Sequence, residues 1–472
     1  MFTAVAMNRI GRLMLGKTAT TLFVFFFTVS IAYFVSCQEQ DSPAAEASTE
    51  HSEEQRCWYQ WRGPLMTGEA PLAKPPLRWS ESKNVKWKTK IAGLGHSTPV
   101  VTQDLVYLTL AREVGEKFPP KPDTAPGAHD NKLVSSKFEF VGVAVSRETG
   151  DIKWQRVLNS AIPHEGAHIS ASLASASPVT DGKHVWFHFG SYGLYCLNSN
   201  GDSIWAKDLG TMNSKHGHGE GASPVLSGDI IAINWDHEGQ SFVAALDKKT
   251  GAEIWRRERD EVTSWASPIV VLHNGKRQLI VAGTNRIRGY DLKTGQPIWN
   301  CGGMSHNIVA TPVHSEGMVF FGSSYEKRQM LAIKLDGAKG DITSSANVVW
   351  SRTAKTPYVP SLLLYRDHVY FLRHYQGILS RLVAKTGDEP AGPFRLGSMN
   401  EIYASPVAAN GKIYVTDRSG TTAVMSASNP TKDGIVNRLN DRFNASAAIC
   451  GDEIFLRGEE HLYCISESRS PK

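Results

Sequence analysis

One short phrase, repeated along the chain, constrains its fold more than any other feature. A small residue, then Ser/Thr-Pro-Val and an apolar run, recurs as STPVV (97–101), SASPV (175–179), GASPV (221–225), WASPI (265–269), VATPV (309–313) and YASPV (403–407). Two degenerate copies stand at VPSLLL (359–364) and NASAAI (444–449). The Ser/Thr falls at 98, 177, 223, 267, 311, 361, 405 and 446, so eight units follow one another, the first 79 residues long and the rest 41–50. A second phrase falls between the first ones. Thr-Gly-x-x-x-Trp ends at Trp154, Trp255 and Trp299, and Asn-Gly-x-x-x-Trp ends at Trp205, each a turn dipeptide ahead of a short strand that carries an indole. Trp87 and Trp350 continue the series without the turn, Phe394 follows Thr386-Gly387 at longer range, and the seventh unit (434–440) has lost the aromatic.

Within the third unit, GASPVLS, IIAINW (230–235), SFVAALD (241–247) and EIWRRE (253–258) read as four strands. Four short antiparallel strands every ~40–50 residues are the mark of a propeller, in which radial repetition leaves only short, protected sheet edges. The expectation is an all-β, eight-bladed propeller with four antiparallel strands per blade and docked tryptophans. The eighth unit has strands at 445–450, 453–458 and 461–466 and lacks a fourth. NVKWKTKI (84–91) has the composition of that strand, which predicts pairing of 84–91 with 461–466 and a ring closed by the N-terminal strand. Length alone suggests about three domains at ~150 residues each. The repeat phase instead makes 84–467 one ring, preceded by a signal segment (1–37), a tether (38–57) and a lead-in (58–83).

The N-terminal segment sets the expected compartment. Nineteen uncharged residues (18–36) follow Arg9, Arg12 and Lys17, long enough to cross roughly 28 Å of hydrocarbon, with the basic flank in the cytoplasm. Phe34-Val35-Ser36-Cys37 resembles a lipobox, so both a lipidated Cys37 and an uncleaved signal anchor stay open. Residues 38–56, with six acids among Ser, Ala, Gln and Pro, read as a solvated tether that holds the globular part outside the cytoplasm near a membrane. Without the three basic residues of the signal the formal charge falls from +5 to +2, too little for a nucleic-acid footprint. Six cysteines are too sparse for a disulfide framework. Cys450 and Cys464 are the pair favoured for oxidation, against the alternative of two buried thiols.

The two phrases in register resemble the tryptophan-docking blades of the PQQ-like, quinoprotein-type eight-bladed propellers, across roughly residues 84–466. Cys57-Trp-Tyr-Gln-Trp-Arg-Gly-Pro (57–64) with Pro75-Pro76-Leu77-Arg78-Trp79 resembles the lead-in of such propellers in planctomycete-type bacteria. A Trp side chain buries ~150–250 Å² and needs a partner for its N–H, so Trp87, Trp154, Trp205, Trp255, Trp299 and Trp350 are read as structural spacers between blades. The resemblance implies one of two function classes. One holds dehydrogenases with pyrroloquinoline quinone and calcium in the central funnel, many with a disulfide of adjacent cysteines over the quinone, acidic and amide ligands on the calcium, and an aspartate base. The other holds cofactor-free scaffolds, including BamB-like lipoproteins of outer-membrane assembly. This chain has no Cys-Cys, and no acid/amide set carries over residue by residue.

The loop entering each first strand and the loop between the second and third strands share one face of a blade. They bring His96, His164, His168, His216, His218, His306 and Asp236-His237-Glu238 to the expected funnel mouth. Neutral imidazole suits zinc, copper or nickel, which makes a divalent metal one reading of this set. Hydrogen bonding to loop backbone is the other. An insert at 112–136, rich in proline, reads as a flap over the mouth or as disorder. There is no G-x-S-x-G, H-E-x-x-H or P-loop, and His184 and His188 on one strand stand ~13 Å apart. The expected function is a membrane-tethered, extracytoplasmic scaffold, a monomeric propeller with no cofactor that binds a protein or peptide. The alternative is a divergent oxidoreductase with a quinone or a metal in the funnel, at His96, His168, His216, His218, Asp236, His237, Glu238 and His306.

Overall fold

The computed structural model describes residues 55–430 and 434–467. The signal segment, the lipobox Cys37 and nearly all of the tether lie outside the described residues. Among the described residues no helix is long and apolar enough to cross a membrane.

Eight sheets form the blades. Blade 1 consists of Val100–Val101, Leu105–Val114, Lys137–Ser146 and Ile152–Ala161, and blade 3 of Val225–Ser227, Ile230–Trp235, Ser241–Asp247 and Glu253–Arg259. Blades 2, 4, 5, 6 and 7 open with strands at Val179–Thr180, Ile269–His273, Val313–Ser315, Leu363–Tyr365 and Val407–Ala409. In blade 8, Ala448–Cys450, Glu453–Arg457 and His461–Ser466 are completed by Val85–Lys90, which lies antiparallel to the last of them with Val85 opposite Ile465 and Lys90 opposite His461. Blade 4 carries a fifth strand, Gly340–Asp341, lent by the connection before the last strand of blade 5.

The repeated phrases work as two concentric devices. At the inner ring, the backbone N–H of each Ser/Thr donates to the hydroxyl of the next blade's Ser/Thr: Ser177 to Ser223 at 2.9 Å, Ser223 to Ser267 at 2.9 Å, Ser361 to Ser405 at 2.9 Å, and so on from Thr98 to Ser446. Further out, an indole N–H donates to a carbonyl of the following blade: Trp87 to Arg147, Trp154 to Ser199, Trp205 to Lys248, Trp255 to Leu292 and Trp350 to Ala384, all within 2.8–3.0 Å. The glycine of each turn explains the rest of the second phrase. Gly150, Gly201, Gly251, Gly295 and Gly387 have φ between +69° and +82°, and a Cβ on any of them would stand 2.5–2.8 Å from the preceding blade's indole. Glycine is thus required by the backbone and by the indole face at once. Trp299 departs from the pattern: its N–H donates to Gln278 Oε1 of its own blade at 2.9 Å, although it remains buried in the core shared with blade 5.

The lead-in is more than a connector. Trp58 bridges Val101 at the far end of blade 1, Tyr59 O accepts from Thr180 of blade 2, and the buried Arg62 donates to Leu362 O and Pro406 O of blades 6 and 7 at 2.7 and 2.8 Å. Ala408 N then donates to Gly68 O, and Lys74 N to Gly451 O of blade 8. Residues 58–74 therefore cross the end of the channel away from the mouth. Of the two alternatives left open for Cys450 and Cys464, the structure has the thiols. Cys450 and Cys464 are buried free thiols, and Cys450 hydrogen-bonds with the Cys57 thiol of the lead-in rather than with Cys464.

Candidate functional site

Above the hydroxyl ring the blades surround a cavity of about 600 Å³, lined by Ser177, Ser223, Ser267, Thr311, Ser361, Ser405 and Ser446 at its base. Trp61 rises through the base from the lead-in, and its N–H donates to Thr311 Oγ1 at 2.9 Å. The cavity is the propeller's funnel.

Its two walls differ in chemistry. The wall of blades 1 to 3 carries His129, Asp130, His168, His218 and Glu220. The facing wall, from blades 5 to 7, carries Tyr325, Tyr358, His374, Tyr375 and Tyr403. These rings form a continuous ledge. Tyr325 stacks on Tyr358 (6.0 Å, 9° between planes), Tyr358 on His374 (4.9 Å), and Tyr375 meets His374, Tyr358 and Tyr403 at 4.4, 5.3 and 4.8 Å. Arg418 lies over the Tyr403 face at 5.8 Å. Packing of the ledge buries the phenols, and desolvation raises the hydroxyl pKa of Tyr358 and Tyr375, so both are neutral donors.

The sequence-predicted residues divide sharply. His96, His168 and His218 line the funnel. His96 Nε2 is 3.3 Å from the amide nitrogen of Asn444, and burial together with Arg457 pushes its pKa down to about 3. His216 stands behind His218 with ring centroids 5.3 Å apart. The Asp236-His237-Glu238 triplet is used elsewhere. Asp236 forms a fully buried bidentate pair with Arg259 at 2.7 and 3.0 Å. His237 Nδ1 accepts from Asn213 N and Gly239 N, and Glu238 accepts from the backbone and hydroxyl of Thr263. His306 is half exposed beside Glu326 at 3.6 Å, and His164 is held between the Tyr192 hydroxyl and Met212 O at 2.9 and 2.6 Å. None of these five lines the cavity.

Sequence reasoning missed the aromatic ledge, Trp61, His129 and Glu220. Tyr403 and Glu220 lie inside phrases that carry the repeat, YASPV and HGHGEGASP, and their signal was position: a side chain within three residues before the Ser/Thr-Pro faces the funnel. The insert is ordered as a flap. Asn131–Lys132 pairs with Ala167–His168, and Asn131 Nδ2 donates to His216 O at 2.6 Å, laying the insert along blades 2 and 3.

Glu220 is the carboxyl with the most altered acidity in the funnel. Desolvation raises its pKa to about 8, assisted by nearby Glu165 and opposed by two bonds from the Ser191 N–H and hydroxyl. Gly190 makes room for it: a Cβ there would lie 1.3 Å from Glu220 Oε2. Among the described residues, His164, Glu165 and Glu220 form the group whose ligand atoms lie within 4.8 Å of one another. They are already committed, His164 to Tyr192 and Met212, Glu165 to Ser214, and Glu220 to Ser191.

The donors present do not suit a quinone with calcium. Calcium takes six to eight oxygen ligands. The carboxyls lining the funnel are Asp130 and the raised-pKa Glu220, while the buried, unpartnered amide oxygens Asn307 Oδ1 and Asn444 Oδ1 come from the separate entering loops of blades 5 and 8. None of the described cysteines lines the funnel.

Eight four-stranded blades, spaced by docked indoles and tied by an inner hydroxyl ring, define a tryptophan-docked propeller. Residues 78–236 and 239–470 match the family described as outer membrane protein assembly factor BamB, and the chain belongs to that family. No curated protein matches the chain. Among solved structures, the quinohemoprotein alcohol dehydrogenase ADHIIG of Pseudomonas putida is 9% identical, with 91% of this chain and 83% of that one covered and a TM-score of 0.51. The computationally designed Ika8 protein is 9% identical, with 83% and 100% covered and a TM-score of 0.51. BamB from Moraxella catarrhalis is 14% identical, with 75% and 98% covered and a TM-score of 0.49. At these identities the likeness is one of fold.

Proposed function

We propose that the chain is an extracytoplasmic, membrane-tethered binding module whose funnel receives an extended segment of a partner protein. The observation that carries this reading is the ledge of Tyr325, Tyr358, His374, Tyr375 and Tyr403 along one wall of a funnel closed below by Trp61. Stacked aromatic faces with neutral phenol donors bind proline- and aromatic-bearing segments, because the ring faces take apolar surface while the hydroxyls satisfy backbone carbonyls. The apolar run at 18–36 supplies the tether, by a lipidated Cys37 or as an anchor. A photo-crosslinking amino acid placed at Tyr375 in the full chain in its native membrane tests this. The expected result is a discrete protein adduct from Tyr375 and none from Leu272, an exposed side chain on the first strand of blade 4 that does not line the cavity. Equal labelling from both positions, or none from Tyr375, overturns it.

Glu220 supports a second reading, an oxidoreductase. A carboxyl with a pKa near 8 facing a funnel has the acidity of a general acid or base working near neutral pH. Dye-linked oxidation of alcohols or sugars by the purified chain, with and without added quinone and calcium, tests it. Turnover that Glu220→Gln abolishes would replace the scaffold reading.

A further inference from the structure

The floor of the funnel is a surface of hydrogen-bond donors. Each of Ser177, Ser223, Ser267, Ser361, Ser405 and Ser446 accepts the backbone N–H of the preceding ring residue at 2.9 Å. That bond occupies a lone pair of the hydroxyl and leaves its proton to be given elsewhere. Among the described residues no protein acceptor takes any of these six protons, and all six serines line the cavity.

Two buried cations flank this floor without an acid to balance them. Arg62 donates to Leu362 O and Pro406 O, the carbonyls that follow Ser361 and Ser405, at 2.7 and 2.8 Å. Arg457 donates to Thr109 O at 2.6 Å and reaches Ser97 Oγ at 3.4 Å, next to His96 of the cavity wall. Both side chains are fully buried, yet Nε and Nη1 of Arg62 and Nε and Nη2 of Arg457 have no hydrogen-bond partner. Burial pushes both pKa values down to about 9, so both stay charged at neutral pH, and among the described residues neither forms an ion pair. The acids that line the funnel do not offset them. Asp130 is exposed on the insert, and Glu220, with a pKa of about 8, holds its proton at neutral pH. His96 feels the same field: burial first, then Arg457, Lys132 and Arg418, push its pKa down to about 3.

A buried charge is costly unless it is paired. Hydroxyl donors and guanidinium charge without an acceptor are complementary to an anion with acceptor oxygens, and bonds from such donors to a carboxylate are of the stronger, charge-assisted kind. The blades that supply Ser361 and Ser405 also supply the ledge, with Tyr358 and Tyr375 from blade 6 and Tyr403 from blade 7. The matching ligand has an apolar or aromatic body next to its carboxylate. Trp61 fills the base and the lead-in crosses beneath it, so a segment that reaches the floor ends there or doubles back. A chain end needs one strand in the cavity, whereas an internal Asp or Glu needs two. Resting on the reading of the funnel as a receptor for an extended segment, we propose that the segment enters by its C-terminus. Its α-carboxylate accepts from the Ser361 and Ser405 hydroxyls beside Arg62, and its last side chains lie on the ledge. Capture of a terminal carboxylate by converging donors is an established mode of peptide recognition.

The adduct formed by a photo-crosslinking amino acid at Tyr375 in the full chain, digested and sequenced by mass spectrometry, tests this. The expected result is a cross-linked peptide that ends at the partner's own C-terminus. A synthetic peptide of that terminus is expected to bind the purified full chain about tenfold or more tightly as the free acid than as the C-terminal amide. Ser405→Ala is expected to bring that ratio down to about threefold or less. Comparing acid and amide on the same variant separates the hydroxyl's contact from any loss of stability, and the wild-type ratio stands without the variant. No adduct from Tyr375 removes the receptor reading and this inference with it. An adduct on an internal peptide, or equal affinity of acid and amide, leaves the funnel a receptor and overturns docking by the C-terminus. An undiminished ratio in Ser405→Ala takes the hydroxyl floor out of the site. An adduct of small-molecule mass overturns both readings and assigns the floor to a free carboxylate.

Discussion

The backbone N–H of Thr98 donates to Ser177 Oγ at 2.9 Å across the boundary of blades 1 and 2, while the Thr98 hydroxyl is buried and has no partner. The same side-chain position therefore has two different values around the ring. Ser223→Ala removes the acceptor of a buried N–H, that of Ser177, and is expected to destabilise by about 1–3 kcal/mol. Thr98→Val removes a hydroxyl that accepts nothing, keeps the shape, and is expected to be neutral or slightly stabilising. Urea unfolding of the two variants checks the contrast, and equal losses would contradict it.

That ring was legible in the sequence because it repeats: eight copies of one phrase show their period without any knowledge of what they bond to. The docking glycines were legible for the same reason. The site was only partly legible. Loops at the mouth do not repeat, and the second-to-third-strand loop of blade 3 shows why histidine and acid content misleads there. Asp236, His237 and Glu238 have the composition of a metal site, yet Asp236 is taken up by Arg259, His237 by its own loop's backbone and Glu238 by Thr263 of the loop entering blade 4. Tyr325, Tyr358, Tyr375 and Tyr403 are 17 to 33 residues apart in sequence and become one surface only when blades 5 to 7 stand side by side.

The Asp236–Arg259 pair is fully buried, and the Arg259 guanidinium also donates to the Tyr290 hydroxyl at 2.9 Å. Asp236→Asn leaves a buried guanidinium with Glu261, 3.9 Å away, as its remaining acid, and is expected to cost about 3–5 kcal/mol. A paired Asp236→Leu, Arg259→Met variant removes both charges and is expected to cost less than the single change. Denaturant midpoints of the two variants read the difference. A single change without effect would return Asp236 to the funnel.

The lead-in makes a prediction about closure. Arg62 ties Leu362 O and Pro406 O together from inside the channel base, and Trp61 fills the base itself. Arg62→Ala loses two bonds from a charged donor and opens a void, so it is expected to destabilise by roughly 3 kcal/mol or more. Trp61→Ala is expected to be milder, since Trp61 is only partly buried, and to enlarge the funnel downward. Thermal melting together with a crystal structure of Trp61→Ala checks both, and unchanged melting of Arg62→Ala would show that the lead-in merely rests on the ring.

Glu220 links stability to pH in the direction opposite to a salt-bridged acid. Its carboxyl is held near pKa 8 when folded, by desolvation foremost, whereas the unfolded chain releases that proton near the ordinary carboxyl value of about 4.3. Between these values the folded state binds more protons than the unfolded one, so stability contributed by this group is full below about pH 4 and declines as pH rises toward 8. Glu220→Gln keeps an acceptor for Ser191 and cannot ionise. Its stability is expected to fall less than that of the wild type between pH 5 and pH 8.5, with the variant the more stable at the upper end. Unfolding midpoints at both pH values measure this, and parallel profiles would mean that Glu220 is ionised in the folded protein at neutral pH, which removes it as a proton carrier in the funnel.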